Sequence, residues 1–111
     1  MSLLDIGTAK LHLRVDGDDE DDLIALYLTA SELSAVEFLN RNVYATEADL
    51  EAAAEPNEAL PMVVNAAIKS AILLILGHLY ANREEVVPGS VTKVPFGAHA
   101  LLQPYRVGLG V

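Results

Sequence analysis

Apolar residues recur along this chain at intervals of three and four, the spacing that lines one face of an α-helix. Ile6, Ala9, Lys10 and Leu13 stand at such intervals behind Asp5, a residue suited to an N-cap, and predict a short first helix reaching about Leu13. Val15, Asp16 and Gly17 interrupt it. Asp18, with Asp21 three residues later, reads as a capping pair opening a second helix from about Asp19 to Asn40. Ile24, Leu28, Ser31, Ala35 and Phe38 form its apolar stripe, widened by Leu23, Leu26, Ala30 and Leu33. So broad a face must meet more than one neighbour.

Thr46 with Asp49 predicts the cap of a short Ala-rich helix ending near Glu55 and Pro56, within a stretch from Asn42 to Leu60 suited to variable length. Pro61 suits the first turn of a helix, where its missing N–H costs nothing. From there Val64, Ile68, Ala71, Ile72, Ile75 and Leu79 predict a central helix to about Asn82, flanked by Leu73, Leu74 and Leu76. Its nearly continuous apolar surface must be enclosed by the other helices or pressed against another subunit. Pro88, Gly89 and Ser90 then separate two β-branched stretches, Val86–Val87 and Val91–Val94, that could pair as a hairpin or extend as an arm. Phe96 to Gln103 reads as a last short helix stopped by Pro104. The expectation is an all-α fold: a small bundle of four to five helices, with a long loop or short β-hairpin arm before the C-terminal helix.

Composition sharpens this picture. A chain of 111 residues is expected to form one domain with one modest core, and with 52% hydrophobic but only 5% aromatic residues that core must be built from Ala, Leu, Val and Ile. The helical body is expected over residues 5–85 and a partner-docking tail over 86–111. Sixteen acidic residues against seven basic ones give a formal charge of −9, which argues against a direct grip on nucleic-acid phosphates. The charge is uneven: residues 1–85 hold every acid and five bases (net −11), whereas residues 86–111 carry only Lys93 and Arg106 (net +2). There is no cysteine, hence no disulfide framework. The longest apolar run, Ala71 to Leu76, falls well short of the ~20 residues needed to cross a bilayer, and no secretory leader is evident.

Candidate chemistry is sparse. Asp16, Asp18, Glu20 and Asp22 alternate like calcium ligands, but Asp21 stands where the loop needs glycine and Tyr27 where a bidentate Glu would close it, so an EF-hand is excluded. The simpler reading is a solvated acidic helix start. His12, His78 and His99 have no zinc spacing. No nucleophile, phosphate loop or isolated acid–base pair is visible, so no catalytic, metal or cofactor residue is assigned and an enzyme is not expected. Tyr80, Arg83 and Glu84 place an aromatic, a cation and an anion within about a turn at one helix end. They either cap that helix or tie it to the tail or to a neighbouring subunit.

Three stretches, KLHLRVDGDDEDDLI (Lys10–Ile24), LGHLYANREEV (Leu76–Val86) and VPFGAHALLQPYRV (Val94–Val107), recur in this order in one kind of small protein. Together they resemble the head-tail connector (adaptor) proteins of long-tailed bacteriophages, over about Asp5 to Val107. The resemblance implies a virion protein of the head-tail junction, made in the host cytoplasm, that forms a homo-oligomeric ring, twelve-fold on the portal protein. Such a ring extends the DNA channel and receives the next head-completion or tail protein, while DNA passes without specific binding. It implies further that the stretch from Phe96 closes the domain, with Leu101, Leu102 and Tyr105 packed and Arg106 anchored to an acidic patch. Interface candidates are therefore Tyr80, Arg83, Glu84, Phe96, Leu101, Leu102, Tyr105 and Arg106. Asp16, Asp18, Asp19, Glu20, Asp21 and Asp22 are candidates for a negative field along the channel. Gly7 and Thr8 depart from the acidic helix formers usual in similar sequences, and the Ala-rich segment from Ala45 to Glu58 is left without functional residues. An alternative from another class is an acidic helical module, a regulator or DNA mimic, that binds a basic partner.

Overall fold

In the computed structural model, which describes residues 3–81 and 96–107, the chain is mostly helical. Helix α1 spans Ile6–Leu13, α2 Asp21–Leu39, α3 Glu47–Ala53, α4 Ala66–Ala81 and α5 Phe96–Leu102. Two residues on either side of α3, Val43–Tyr44 (β1) and Met62–Val63 (β2), pair as a minimal parallel sheet. The all-α bundle expected from periodicity is present. The hairpin expected between Val86 and Val94 lies outside the described residues.

Helix α4 is the axis of the bundle, and the structure encloses one side of it while leaving Leu74 41% exposed. Ile68, Ala71, Ile72, Ile75, Leu76 and Leu79 are buried, and α1, α2 and α5 pack around them. From α2 come Ile24, Leu28, Ala35 and Leu39, from α1 Ala9, and from α5 Ala98 and Leu102. The small residues set how closely the helices approach. At Gly77 a Cβ would stand 3.4 Å from His12 Nε2, so the imidazole carried by α1 rests against this turn of α4.

The helix ends show which capping signals operate. Thr46 caps α3 as expected, its side chain accepting from Asp49 N at 3.1 Å. Asp5 occupies the N-cap of α1, but its carboxylate accepts from Thr8 Oγ1 at 2.6 Å instead of from the backbone. The capping pair expected at Asp18 and Asp21 is not formed: α2 begins after Glu20 with no side-chain cap, because both aspartates turn to Lys10. Pro61 does not open α4 either. Met62 N bonds Asn42 O at 3.1 Å and Val64 N bonds Tyr44 O at 2.8 Å, which keeps this segment extended, and Asn65 then starts the helix by accepting from Ile68 N at 2.9 Å. An Asn with a free choice of backbone partners outcompetes a proline that merely tolerates the position. Pro104, expected as a stop, lies within a 3₁₀ turn, Gln103–Tyr105, that continues directly from α5.

Four non-glycine residues, Arg14, Asn40, Ala54 and Leu60, adopt left-handed backbone angles as they end helical segments. For residues with a Cβ this conformation costs roughly 1–2 kcal/mol. Ala54→Gly is therefore expected to raise stability by about 0.5–1 kcal/mol, and Asn65→Ala to lower it by about 1 kcal/mol through the lost cap. Denaturant titration of both variants against the wild type measures these opposite shifts.

Candidate assembly surfaces

Three features of the surface bear on function: the acidic corner where α1 meets α2, the closure made by the C-terminal residues, and the leucines left outside the core.

At the corner, Lys10 Nζ lies 2.9 Å from Asp18 Oδ1 and 2.8 Å from Asp21 Oδ1. The carboxylates of Asp21 and Asp18 raise the Lys10 ammonium above its ordinary pKa. The loop after α1 is thereby drawn back onto the helix, aided by the Val15 N to Lys10 O bond at 3.0 Å. The Tyr80 hydroxyl at the end of α4 donates to Glu20, tying the far end of the central helix to the start of α2. Three of the six candidate acids thus make bonds within the chain, while Asp16, Asp19 and Asp22 are exposed. No group of His, Asp and Glu among the described residues is arranged to hold a metal ion.

The second feature gathers at the C-terminal end of α2, where helix carbonyls need partners. Arg106 Nε donates to Phe38 O at 2.9 Å, Val107 N to Leu39 O at 2.8 Å, and Asn40 Nδ2 to Val107 O at 3.1 Å. Arg41 clamps both sides of this joint, Nε to Leu60 O at 2.5 Å and Nη1 to Tyr105 O at 3.2 Å. Phe38 is held between two groups: the His99 ring at 4.3 Å centroid distance and the Arg106 guanidinium at 4.9 Å. Arg106 does fix the end of the fold, but on a carbonyl and an aromatic face; the acidic patch expected as its partner is not what it meets. Leu102 is enclosed in the core of its own chain, while Leu101 and Tyr105 are half-buried against it. Phe96 begins α5. Arg83 and Glu84 lie outside the described residues. The part of the tail from 96 to 107 is thus folded onto α2 and α4.

Beside this joint is an open groove of about 450 Å³ lined by Val36, Glu37, Asn40, Arg41, Asn42, Glu55 and Ala59. Its polar groups are largely committed within the chain: Glu55 accepts from Asn42 Nδ2 at 2.9 Å and from the Tyr44 hydroxyl. One turn earlier on α2, the Glu32 carboxylate, itself buried, accepts from the N–H groups of Leu3 at 2.9 Å and Leu4 at 3.0 Å. The N-terminal residues are thereby laid against the bundle. Neither Glu32 nor Arg41 stands out in the sequence, since their partners are backbone groups 19 to 64 residues away.

The third feature is apolar. Leu11 on α1 is 81% exposed, and Leu26 and Leu33 on α2 are 64% and 61% exposed. Leu26 and Leu33 belong to the wide apolar stripe that called for more than one neighbour; the structure leaves both on the outer side, because α1, α4 and α5 cover less of the helix than the stripe spans. Full burial of a leucine side chain is worth roughly 1.5–3 kcal/mol. Three such side chains on neighbouring helices leave a substantial gain for whatever covers them. Among the described residues no helix is long and apolar enough to cross a membrane.

Against known proteins, the family described as phage gp6-like head-tail connector protein matches residues 4–106. No curated protein and no solved structure matches the chain.

Two predictions follow from the corner and the joint. Because the Lys10 pKa is raised in the fold, its contribution is fully present below the ordinary lysine value of about 10.5 and is lost as pH climbs through the raised one. Melting temperatures of the wild type and Lys10→Met are expected to differ at neutral pH and to converge above that value. Removing the Arg41 clamp by Arg41→Ala is expected to cost about 1.5–3 kcal/mol, the usual worth of hydrogen bonds from a charged donor, in a denaturant titration.

Proposed function

The chain belongs to the phage gp6-like head-tail connector family, and from that premise we propose that it is one subunit of a ring that docks on the portal protein and extends the DNA exit channel. The observation that carries this reading is a family match running through nearly all of the chain, from residue 4 to residue 106. The family is one of structural virion proteins. In this role the protein binds and conducts; it has no substrate to turn over. The ring is twelve-fold on the portal, its far side receiving the next head-completion or tail protein. Each copy contributes one connector domain: a body of residues 5–85, with the tail from 86 to 111 as the docking element, its residues 96–107 docking by the side turned away from α2 and α4.

The physical surfaces support that reading. A protein that acts alone gains nothing from exposed leucines on two helices, whereas a ring subunit needs apolar contacts on two sides. The charge of −9 supports it as well. Repeated around a closed ring, exposed acids such as Asp16, Asp19 and Asp22 form a negative lining that keeps a moving duplex from adhering, over the 8 to 10 Å that physiological salt allows. The reading as a regulator or DNA mimic rests on that same net charge, and leaves the outward leucines without a role.

Electron microscopy of the purified protein at high concentration, and of its mixture with the portal protein, provides the test. Annuli with an opening wide enough for duplex DNA, co-purifying with portal, are the expected result. Capture by basic DNA-binding proteins with no annuli and no portal complex would favour the acidic-module reading instead.

A further inference from the structure

The outward side of α2 is shaped as well as apolar. Leu26, Thr29, Ala30 and Leu33 stand at positions i, i+3, i+4 and i+7, the four corners of the hole that receives one side chain in knobs-into-holes packing. Two large residues form its ends and two small ones its middle. Leu26 and Leu33 are exposed, and Ala30 is half-buried beneath them. Thr29 Oγ1 bonds back to Ala25 O at 3.0 Å, so the hydroxyl is occupied by its own helix and adds no unpaired polar group to the hole.

The matching knob is on α1. Leu11 lies two residues, about 200° of helical rotation, from the buried Ala9, so it points directly away from the core and is the most exposed large apolar side chain of the bundle. Arg14, also exposed, follows it by three residues. The hole is bracketed by exposed acids, Asp22 four residues before Leu26 and Glu37 four residues after Leu33. Whichever way α1 lies along α2, an acid meets Arg14.

Resting on the ring reading above, we propose that Leu11 of one copy inserts into the Leu26–Thr29–Ala30–Leu33 hole of the next, with Arg14 paired to an acid at the rim. The occupant is a second copy of this chain, chosen by the fit of one knob to one hole and by opposite charges beside each. Knob and hole are on different helices, so every subunit presents both halves of the contact. Successive copies then join head to tail, the type of interface that can close into a ring.

The chain has no cysteine, so cross-links report only what is introduced. Leu11→Cys and Thr29→Cys proteins, mixed at high concentration under mild oxidation, are expected to form a disulfide-linked heterodimer. Leu11→Cys mixed with Leu60→Cys, an exposed position outside the hole, is the control. The double variant carrying Leu11→Cys and Thr29→Cys is expected to give a ladder of covalent oligomers. Leu11→Asp is expected to raise the concentration needed for assembly roughly 10- to 100-fold, the burial of one leucine expressed as an equilibrium constant. Cross-linking no higher than the control overturns the proposal. So does a ladder that stops at dimers, which would mean that two copies exchange knobs mutually. Loss of portal binding in Leu26→Asp without any effect of Leu11→Asp would assign the hole to the portal and overturn it equally. Rings on the portal without the cross-link would sink this contact and leave the connector reading standing; the cross-link without portal binding would do the reverse.

Discussion

Enclosure of α4 is the constraint from which the rest of the structure follows. A sixteen-residue helix whose buried side includes three isoleucines and two leucines cannot be left in water, and among the described residues α1, α2 and α5 cover it. Each turns its small or aliphatic residues inward to do so: Ala9, Ala35, Ala98 and Leu102 among them. The consequence lies on the opposite sides of those covering helices. Among the described residues no further layer covers Leu11, Leu26 and Leu33, so the same arrangement that buries the centre leaves apolar residues on the periphery.

The covering helices also need their ends secured, and the chain does this with contacts between distant segments. The last carbonyls of α2 meet Arg106 and Val107, the start of α2 meets Tyr80, and the N-terminal residues are held by Glu32. The acidic corner is part of the same scheme. Lys10 neutralises part of an otherwise strongly repulsive helix start, and Asp16, Asp19 and Asp22 face solvent. Stability and surface charge are therefore set by one cluster.

Much of this was legible before the structure. Periodicity located α1, α2 and α4, caps and composition located α3 and α5, and the Thr46–Asp49 spacing named its own cap. The failures have physical causes. Pro61 is compatible with a helix start, but compatibility is weaker than the pull of a neighbouring strand and an Asn cap, neither of which local spacing reveals. Asp18 and Asp21 have capping chemistry, yet a lysine eight residues upstream of Asp18 offers them a better partner. For Arg106, sequence identified an anchor but not its partner, since a backbone carbonyl carries no signature. The breadth of the α2 stripe called for more than one neighbour, but a stripe reports only how much of a helix is apolar; packing identifies Leu26 and Leu33 as the part left uncovered. The family resemblance carried the functional reading where residue chemistry could not, and the match over residues 4–106 shows the family itself.

The central claim is that the surface left bare by covering α4 is used by further copies of the chain. Native mass spectrometry across a concentration series tests it most directly. Assembly through distinct surfaces predicts monomers at low concentration, giving way to a single closed species of high order with few intermediates. A monomer at every concentration, or a dimer that never grows, would contradict it.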